Sequence, residues 1–174
     1  MLILFKIFIT NMYLYICGKT FADYYFKKNN SQESENAIFG AIIVSFIALT
    51  VNFFLPLNKI VTTFLFLIPF FTFIKKGISK KELWFFIKAT IIVFFFIIYS
   101  AVNRPDAGLY HLPYTQILNE NKIIIGLGNL HHRFGHISIV QYLSAINHNY
   151  IIGVHGIIIP LASLISFILI YFLD

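Results

Sequence analysis

The sequence predicts an all-α fold: a polytopic helical membrane bundle of about five spans, with two short interfacial helices in an outer loop. Hydrophobic residues make up 59% of the 174-residue chain, which includes 21 phenylalanines, and only 11% of its residues are charged. Soluble domains carry roughly 25% charged residues, so this chain has too few to cover a water-facing surface. Its apolar residues are gathered in five long runs, and a helix needs about 20 mainly apolar residues to cross a bilayer.

The charges and the single cysteine argue against several other classes of protein. The net charge of +6 comes largely from lysines at the ends of apolar runs, where they set orientation, so a nucleic-acid partner is not indicated. Cys17 is the only cysteine, which excludes an internal disulfide and a multi-cysteine metal site. The abundance of Ile, Phe, Asn and Lys is typical of an AT-rich genome and favours a bacterial source.

The five predicted spans differ in how continuous their apolar runs are. The first is short and contains Lys6, but it lacks the basic start and the cleavage site of a signal peptide. The third contains Pro69, which is expected to kink it, and the fifth is interrupted by His155 and Pro160. The predicted spans are 2–17, 37–55, 59–74, 82–101 and 151–173.

The distribution of lysine and arginine predicts the orientation. Segment 75–82, KKGISKKE, contains four lysines and is expected to be cytoplasmic, as is segment 18–36. Segment 102–150 contains only three basic residues and is then the outer loop, facing outward from a bacterial inner membrane. Lys59 lies on the predicted outer side and is an exception to the enrichment of lysine and arginine on the cytoplasmic side.

The outer loop is predicted to contain two short helices. Proline is tolerated in the first turn of a helix, so Pro113 to Leu118 is expected to form the first one, ended by the polar run NENK. The later stretch HHRFGHISIVQYLSAINHN places apolar residues at roughly helical spacing, with polar residues largely between them. That pattern is typical of an amphipathic helix lying along a membrane interface.

Asp106 lies in the stretch RPDAGLYHLP, directly after the fourth apolar run, and is the only aspartate between Tyr24 and Asp174. A carboxylate at the outer mouth of a span can serve as a general base or a metal ligand, because partial shielding from water tunes its pKa. His111 is then a candidate second ligand or hydrogen-bond partner. The alternative, which spacing alone favours, is that Asp106 caps the next helix or pairs with Arg104.

Other candidate residues also have two interpretations. His132 and His136 share one helix face, and histidines at that spacing can bind metal. No HExxH motif surrounds them, so the favoured interpretation is that they are polar side chains at the membrane interface. Arg104, Lys122 and Arg133 suit a phosphate group at the membrane surface, or headgroup anchoring without specificity. The chain has no P-loop, no GxSxG elbow and no GxGxxG after a strand.

Two stretches resemble a group of uncharacterised bacterial multi-pass membrane proteins. PDAGLYHLPYTQILNENKIIIGLGNLHHRFG, at 105–135, resembles that group's motif of an aspartate, YHLP, a short helix, a GLxNLH stretch and an R-F/L-[GA] pair. SQESENAIFGAIIVSFIALTVNFFLPLNK, at 31–59, resembles the N-terminal half of the same group. The resemblance is more specific in 105–135 than in 31–59.

That group is similar in layout to the GT-C superfamily of membrane glycosyltransferases. The resemblance implies an enzyme that takes sugar from a polyprenyl-phosphate carrier, with an acidic residue after a spanning helix as base or metal ligand. By position this residue is Asp106. Together with Arg104, the residues that match the group's motif form the candidate substrate-binding set, although the group assigns them no roles. They are Tyr110, His111, Asn129, His131 and Arg133.

The chain also departs from the GT-C layout. Only Glu120 accompanies Asp106, where two paired acids are common, and three spans precede the helix that leads into the loop. We therefore expect one membrane domain, 1–174, that is the N-terminal fragment of a larger protein and inactive alone. The alternative is a non-enzymatic component of lipid or polysaccharide export, or a membrane scaffold. The sugar, the oligomeric state and the use of a divalent metal stay open.

Overall fold

Every regular element that the computed structural model describes is helical. The described residues are 2–25, 32–73, 77–99, 107–130, 132–135 and 138–174. The α-helices are α1 (Leu2–Tyr25), α2 (Glu33–Phe54), α3 (Lys59–Phe73), α4 (Lys80–Tyr99), α5 (Leu112–Glu120), α6 (Leu127–Leu130), α7 (Ile139–Asn147) and α8 (Ile159–Leu173). A π-helical turn covers Ala107–His111, and 3-10 turns cover His132–Gly135 and Gly153–Ile157.

Among the described residues, three helices, α1, α2 and α4, are long and apolar enough to cross a membrane. Over the same described ranges, α3 and α8 are apolar but have 15 residues each. At 1.5 Å per residue that is about 22 Å of helix, against a hydrocarbon core of roughly 30 Å. The predicted all-α class is confirmed, and three of the five predicted spans have spanning length.

The helix boundaries differ from the predicted ones for local reasons. The helix α1 continues to Tyr25 instead of ending at 17, because α4 supplies a partner for Lys19. The helix α2 begins at Glu33, since two glutamates in its first turn interact favourably with the N-terminal helix dipole. The fifth predicted span starts late, at Ile159, because Pro160 occupies the first turn of α8 rather than its interior.

The closest helix pair is α1 and α2, which run antiparallel. A Cβ atom on Gly18 would lie 1.8 Å from the carbonyl oxygen of Asn36, and one on Gly40 would lie 1.7 Å from that of Leu14. Only glycine therefore permits this approach of the two backbones. Small residues at such contacts are the usual means by which membrane helices pack.

The helices α4 and α8 complete the bundle around α1 and α2 through side-chain hydrogen bonds between apolar faces. Asn11 Nδ2 of α1 donates to Thr90 Oγ1 of α4 across 3.3 Å. Ser166 Oγ of α8 donates to the carbonyl oxygen of Ala89 across 3.4 Å. The helix α3 lies on the outside of this core, against α1 and α7.

At the start of α4, Glu82 ties α1 to α4. Ser79 and Glu82 form a reciprocal cap, in which Ser79 N donates to Glu82 Oε2 across 2.7 Å and Glu82 N donates to Ser79 Oγ across 3.2 Å. Tyr15 donates its hydroxyl to Glu82 Oε1 across 2.6 Å, and Lys19 pairs with the same oxygen. Every carboxylate oxygen of this buried side chain therefore has a donor.

The elements after α4 pack at the opposite end of the bundle, where α2 ends and α3 begins, which we call the loop end. The first predicted loop helix is confirmed as α5, with Pro113 in its first turn and its end just before Asn121. The second predicted helix is divided into the turn His132–Gly135 and α7, because Ser138 caps α7 with a reciprocal hydrogen bond to Gln141.

The helix α7 is not an exposed interfacial helix. All six residues from Tyr142 to Asn147 are buried, because α7 packs against α2, α3, α5 and α8. Ser144, expected on a polar face, instead donates to the carbonyl oxygen of Ile157 across 2.9 Å. The prediction of an amphipathic helix lying on the surface was therefore wrong for this segment.

Candidate functional site

The residues predicted from the motif are distributed over several elements of the loop end. Tyr110 and His111 end the π-helical turn directly before α5, Tyr110 half-buried and His111 exposed, and Asn129 is exposed on α6. Arg133 belongs to the 3-10 turn His132–Gly135, although its side chain lies outside what the structure describes. Asp106, Arg104 and His131 also lie outside the described residues.

Aromatic residues bring the two halves of the motif together. The ring of Tyr114, in the first turns of α5, lies 6.1 Å from that of Phe134 in the turn His132–Gly135. Tyr114 also adjoins Tyr142 of α7, and burial, together with that neighbouring hydroxyl, raises the pKa of Tyr114. The stretch YHLP and the stretch HRFG are therefore neighbours in the fold as well as in the motif.

Hydrogen bonds from the α2–α3 connection fix the position of α5. Leu57 N donates to the carbonyl oxygen of Leu118 across 3.0 Å, and Ile123 N donates to that of Asn52 across 3.0 Å. The side chain of Asn52, which is fully buried, donates to the carbonyl oxygens of Asn121 across 2.9 Å and Leu118 across 3.3 Å. The α5 backbone is thereby anchored to the end of a membrane-length helix.

A cavity of about 420 Å³ lies beside this anchored helix. Its volume falls in the range typical of small-molecule sites, roughly 300–1,000 Å³. Asn58, at the start of α3, and the apolar Leu112 and Ile157 contribute to its walls. The other six lining residues are polar and come from α3, from α5 and from the position directly after α7. They are Lys59, Thr115, Gln116, Asn119, Glu120 and His148.

Asn119 holds His148 in one tautomer. Asn119 Nδ2 donates to the carbonyl oxygens of Leu57 across 2.6 Å and Ala145 across 3.1 Å. These two bonds use both amide hydrogens, so Asn119 Oδ1 must accept from His148 Nδ1, which lies 2.9 Å away. In the neutral ring the lone pair is then on Nε2, the nitrogen that can accept a proton or a hydrogen bond.

Burial and a neighbouring cation favour the neutral form of this imidazole. Burial lowers the pKa of His148 below its usual value, and the Lys59 ammonium group lowers it further. Lys59 itself lies over the ring of Tyr150, 6.0 Å from its centroid. Also lining the cavity, Glu120 Oε1 accepts from Gln116 Nε2 across 2.7 Å. The cavity thus contains one cation, one carboxylate and one neutral base.

Sequence reasoning missed Lys59, Asn119 and His148 as members of one site. Lys59 was noticed only as an exception to the charge bias, and that exception was the available signal. Asn119 was placed in the polar run that ends the first loop helix, and His148 lay in the stretch that was predicted to form an amphipathic helix. Their contact depends on how α5 and α7 pack on α3, which no local pattern encodes.

The described residues offer no multidentate metal site. No group of three or more His, Cys, Asp or Glu side chains that could hold a metal ion occurs among them. Of the predicted pair of histidines, His132 is exposed in its 3-10 turn, and His136 lies outside the described residues. The use of a metal by Asp106 therefore stays a prediction.

Comparisons with known proteins identify a family but no function. A family model described as a domain of unknown function, DUF8201, matches residues 1–173. No curated protein and no solved structure matches the chain significantly. Since the family model covers almost the whole sequence, the chain belongs to the DUF8201 family.

Proposed function

We propose that this chain belongs to a GT-C-like membrane glycosyltransferase that acts on a lipid-linked sugar at the outer face of a bacterial inner membrane. Five helices cross the bilayer in this proposal: α1, α2 and α4 at full length, with α3 and α8 as shorter spans beside them. The loop end then faces outward, and the lysine-rich segment before α4 faces the cytoplasm.

The observation that carries the proposal is the cavity beside α5, whose lining includes the charged side chains of Lys59 and Glu120 and the amide of Gln116. In a bundle this apolar, charged and amide groups gathered in one cavity are explained most simply by a polar ligand that binds there. A position at the end of a membrane-length helix suits a substrate whose chain lies in the lipid and whose head group lies at the surface. A polyprenyl-phosphate sugar has that shape.

Asp106 directly precedes the turn Ala107–His111, which leads into the cavity wall α5. In the proposed reaction its carboxylate takes the proton of an acceptor hydroxyl as that oxygen forms a bond to the anomeric carbon. The bond between the anomeric carbon and the carrier phosphate breaks, and the phosphate leaves with the electron pair. Arg104 and Arg133 would hold that phosphate.

The proposal is tested with Asp106→Asn in the full-length natural protein. Transfer of labelled sugar from lipid-linked donors in membranes should fall by about 10²–10⁴-fold, the usual contribution of a general base. Asp23→Asn, which makes the same change on α1, is the matched control and should keep full activity. Undiminished transfer by Asp106→Asn would remove the catalytic role and favour a non-enzymatic export component or scaffold.

A further inference from the structure

We propose that the cavity beside α5 is a recognition site for a neutral, hydroxyl-rich group, namely a sugar ring. No resemblance assigns a role to Lys59, Gln116, Glu120 or His148, which would bind it. Resting on the proposed function, the ring would be the sugar of the lipid-linked substrate.

The balance of charge in the cavity favours a neutral ligand. A phosphate group carries about −1.5 to −2 charges at neutral pH, so binding at Lys59 would place it in the same cavity as the Glu120 carboxylate. A divalent cation at Glu120 would meet the Lys59 ammonium group in the same way. A ligand without charge meets neither repulsion and can use both groups as hydrogen-bond partners.

The hydrogen-bonding groups match those of a sugar. A hydroxyl both donates and accepts, so a ring with several hydroxyls needs a mixed lining. Lys59 and the Gln116 amide can donate, whereas the Glu120 carboxylate and His148 Nε2 can accept. The apolar side chains of Leu112 and Ile157 provide a surface for the C–H face of a ring.

The architecture holds His148 and the α5 backbone in place before a ligand binds. Asn119, which orients His148, is itself fixed by two backbone carbonyl groups. The α5 backbone is tied to α2 through Asn52. A preformed site of this kind loses little conformational entropy on binding.

The test compares three ligands that share one alkyl chain: octyl glucoside, octyl phosphate and octanol. Each is titrated below its micellar concentration into the full chain in lipid nanodiscs. The readout is the NMR signal of the His148 ring, assigned with His148→Gln. We expect a saturable shift with octyl glucoside, and at least tenfold weaker binding of the other two.

Two variants connect the binding to this cavity. Gln116 and Glu120 have exposed side chains, so the double variant Gln116→Ala/Glu120→Ala should fold normally and weaken octyl glucoside binding at least tenfold. Lys80→Ala, at an exposed position of α4 outside the cavity, is the control and should bind as the parent does. Equal binding by the double variant and the parent would overturn the proposal.

The ligand series separates the remaining outcomes. Tighter binding of octyl phosphate would mean an anion site and overturn the sugar assignment, and equal binding of octanol would mean that the alkyl chain alone is recognised. Sugar binding that persists when no transfer is detected would contradict the proposed catalysis but not this site. Transfer without sugar binding in the cavity would contradict the site alone.

Discussion

At the scale of single residues, His148 is the side chain at the loop end whose protonation the fold controls. Its Nδ1 hydrogen is committed to Asn119, and burial and Lys59 lower its pKa below the usual value near 6.5. Other charged or titratable groups near it are Glu120 and Tyr150. Below about pH 6.5 this histidine is protonated in the unfolded chain more readily than in the folded protein. The folded state therefore loses stability as the pH falls.

We therefore expect acid to remove part of the stability that His148 confers. The difference in thermal unfolding midpoint between the parent and His148→Gln should shrink as the pH is lowered from 7.5 to 5.5, because the glutamine does not titrate. Differential scanning fluorimetry in detergent at three pH values measures this difference. A difference that stays constant or widens on acidification would contradict a lowered pKa for His148.

At the scale of helices, the backbone contact between α1 and α2 organises the bundle. The contact depends on Gly18 and Gly40, each facing a carbonyl group of the other helix at a distance that leaves no room for a Cβ atom. Neither neighbour is the flexible end of a side chain, so the whole helix must move to admit a methyl group. The energy of this contact comes from packing, since lipid surrounds the separated helices as well.

Gly40→Ala is accordingly expected to destabilise the protein by about 1–3 kcal/mol, the usual cost of overpacking. Unfolding by sodium dodecyl sulfate in mixed micelles, followed by circular dichroism, measures the loss. Gly108→Ala is the matched control, because a Cβ atom there meets nothing within 4 Å. Equal stability of the two variants would show that α1 and α2 are not in backbone contact.

The sequence predicted those elements whose signals are local. The helix α5 could be predicted from Pro113 and the polar run that ends it, and α4 from a continuous apolar run. The start of α8 was misplaced because the pattern does not show whether Pro160 interrupts a helix or begins one. The helix α7 was misassigned because its polar residues suggested a solvent-exposed face. In the structure, Ser144 and Asn147 are buried and donate hydrogen bonds to backbone carbonyl groups.

At the scale of the whole molecule, the candidate site is less predictable than the helices that build it. The motif lies at the loop end, where the segments that carry YHLP and HRFG are adjacent. The cavity combines Lys59, α5 and His148, which are far apart in sequence. They come together because α5 and α7 pack on the bundle. This tertiary packing leaves no periodic pattern in the sequence from which it could be predicted.

The arrangement of the helices also determines which residues each face of the membrane can reach. If α4 and α8 both cross, Lys122 and Tyr150 at the loop end lie outside, and Lys80 and Asp174 lie inside. Single cysteines at these four positions, in a Cys17→Ser background, can be treated with a membrane-impermeant maleimide in intact spheroplasts. We expect labelling at 122 and 150, and labelling at 80 and 174 only after permeabilisation.

The short helix α8 makes position 174 the most informative of the four. Asp174 pairs with Lys88 across 2.8 Å, and Lys88 lies two turns into α4, so α8 reaches the inner surface only if the bilayer thins there or water reaches that pair. Labelling at 174 after permeabilisation would support a full crossing and the five-span topology. Labelling from outside, or none under either condition, would contradict the crossing of α8 and leave the bundle with fewer spans than proposed.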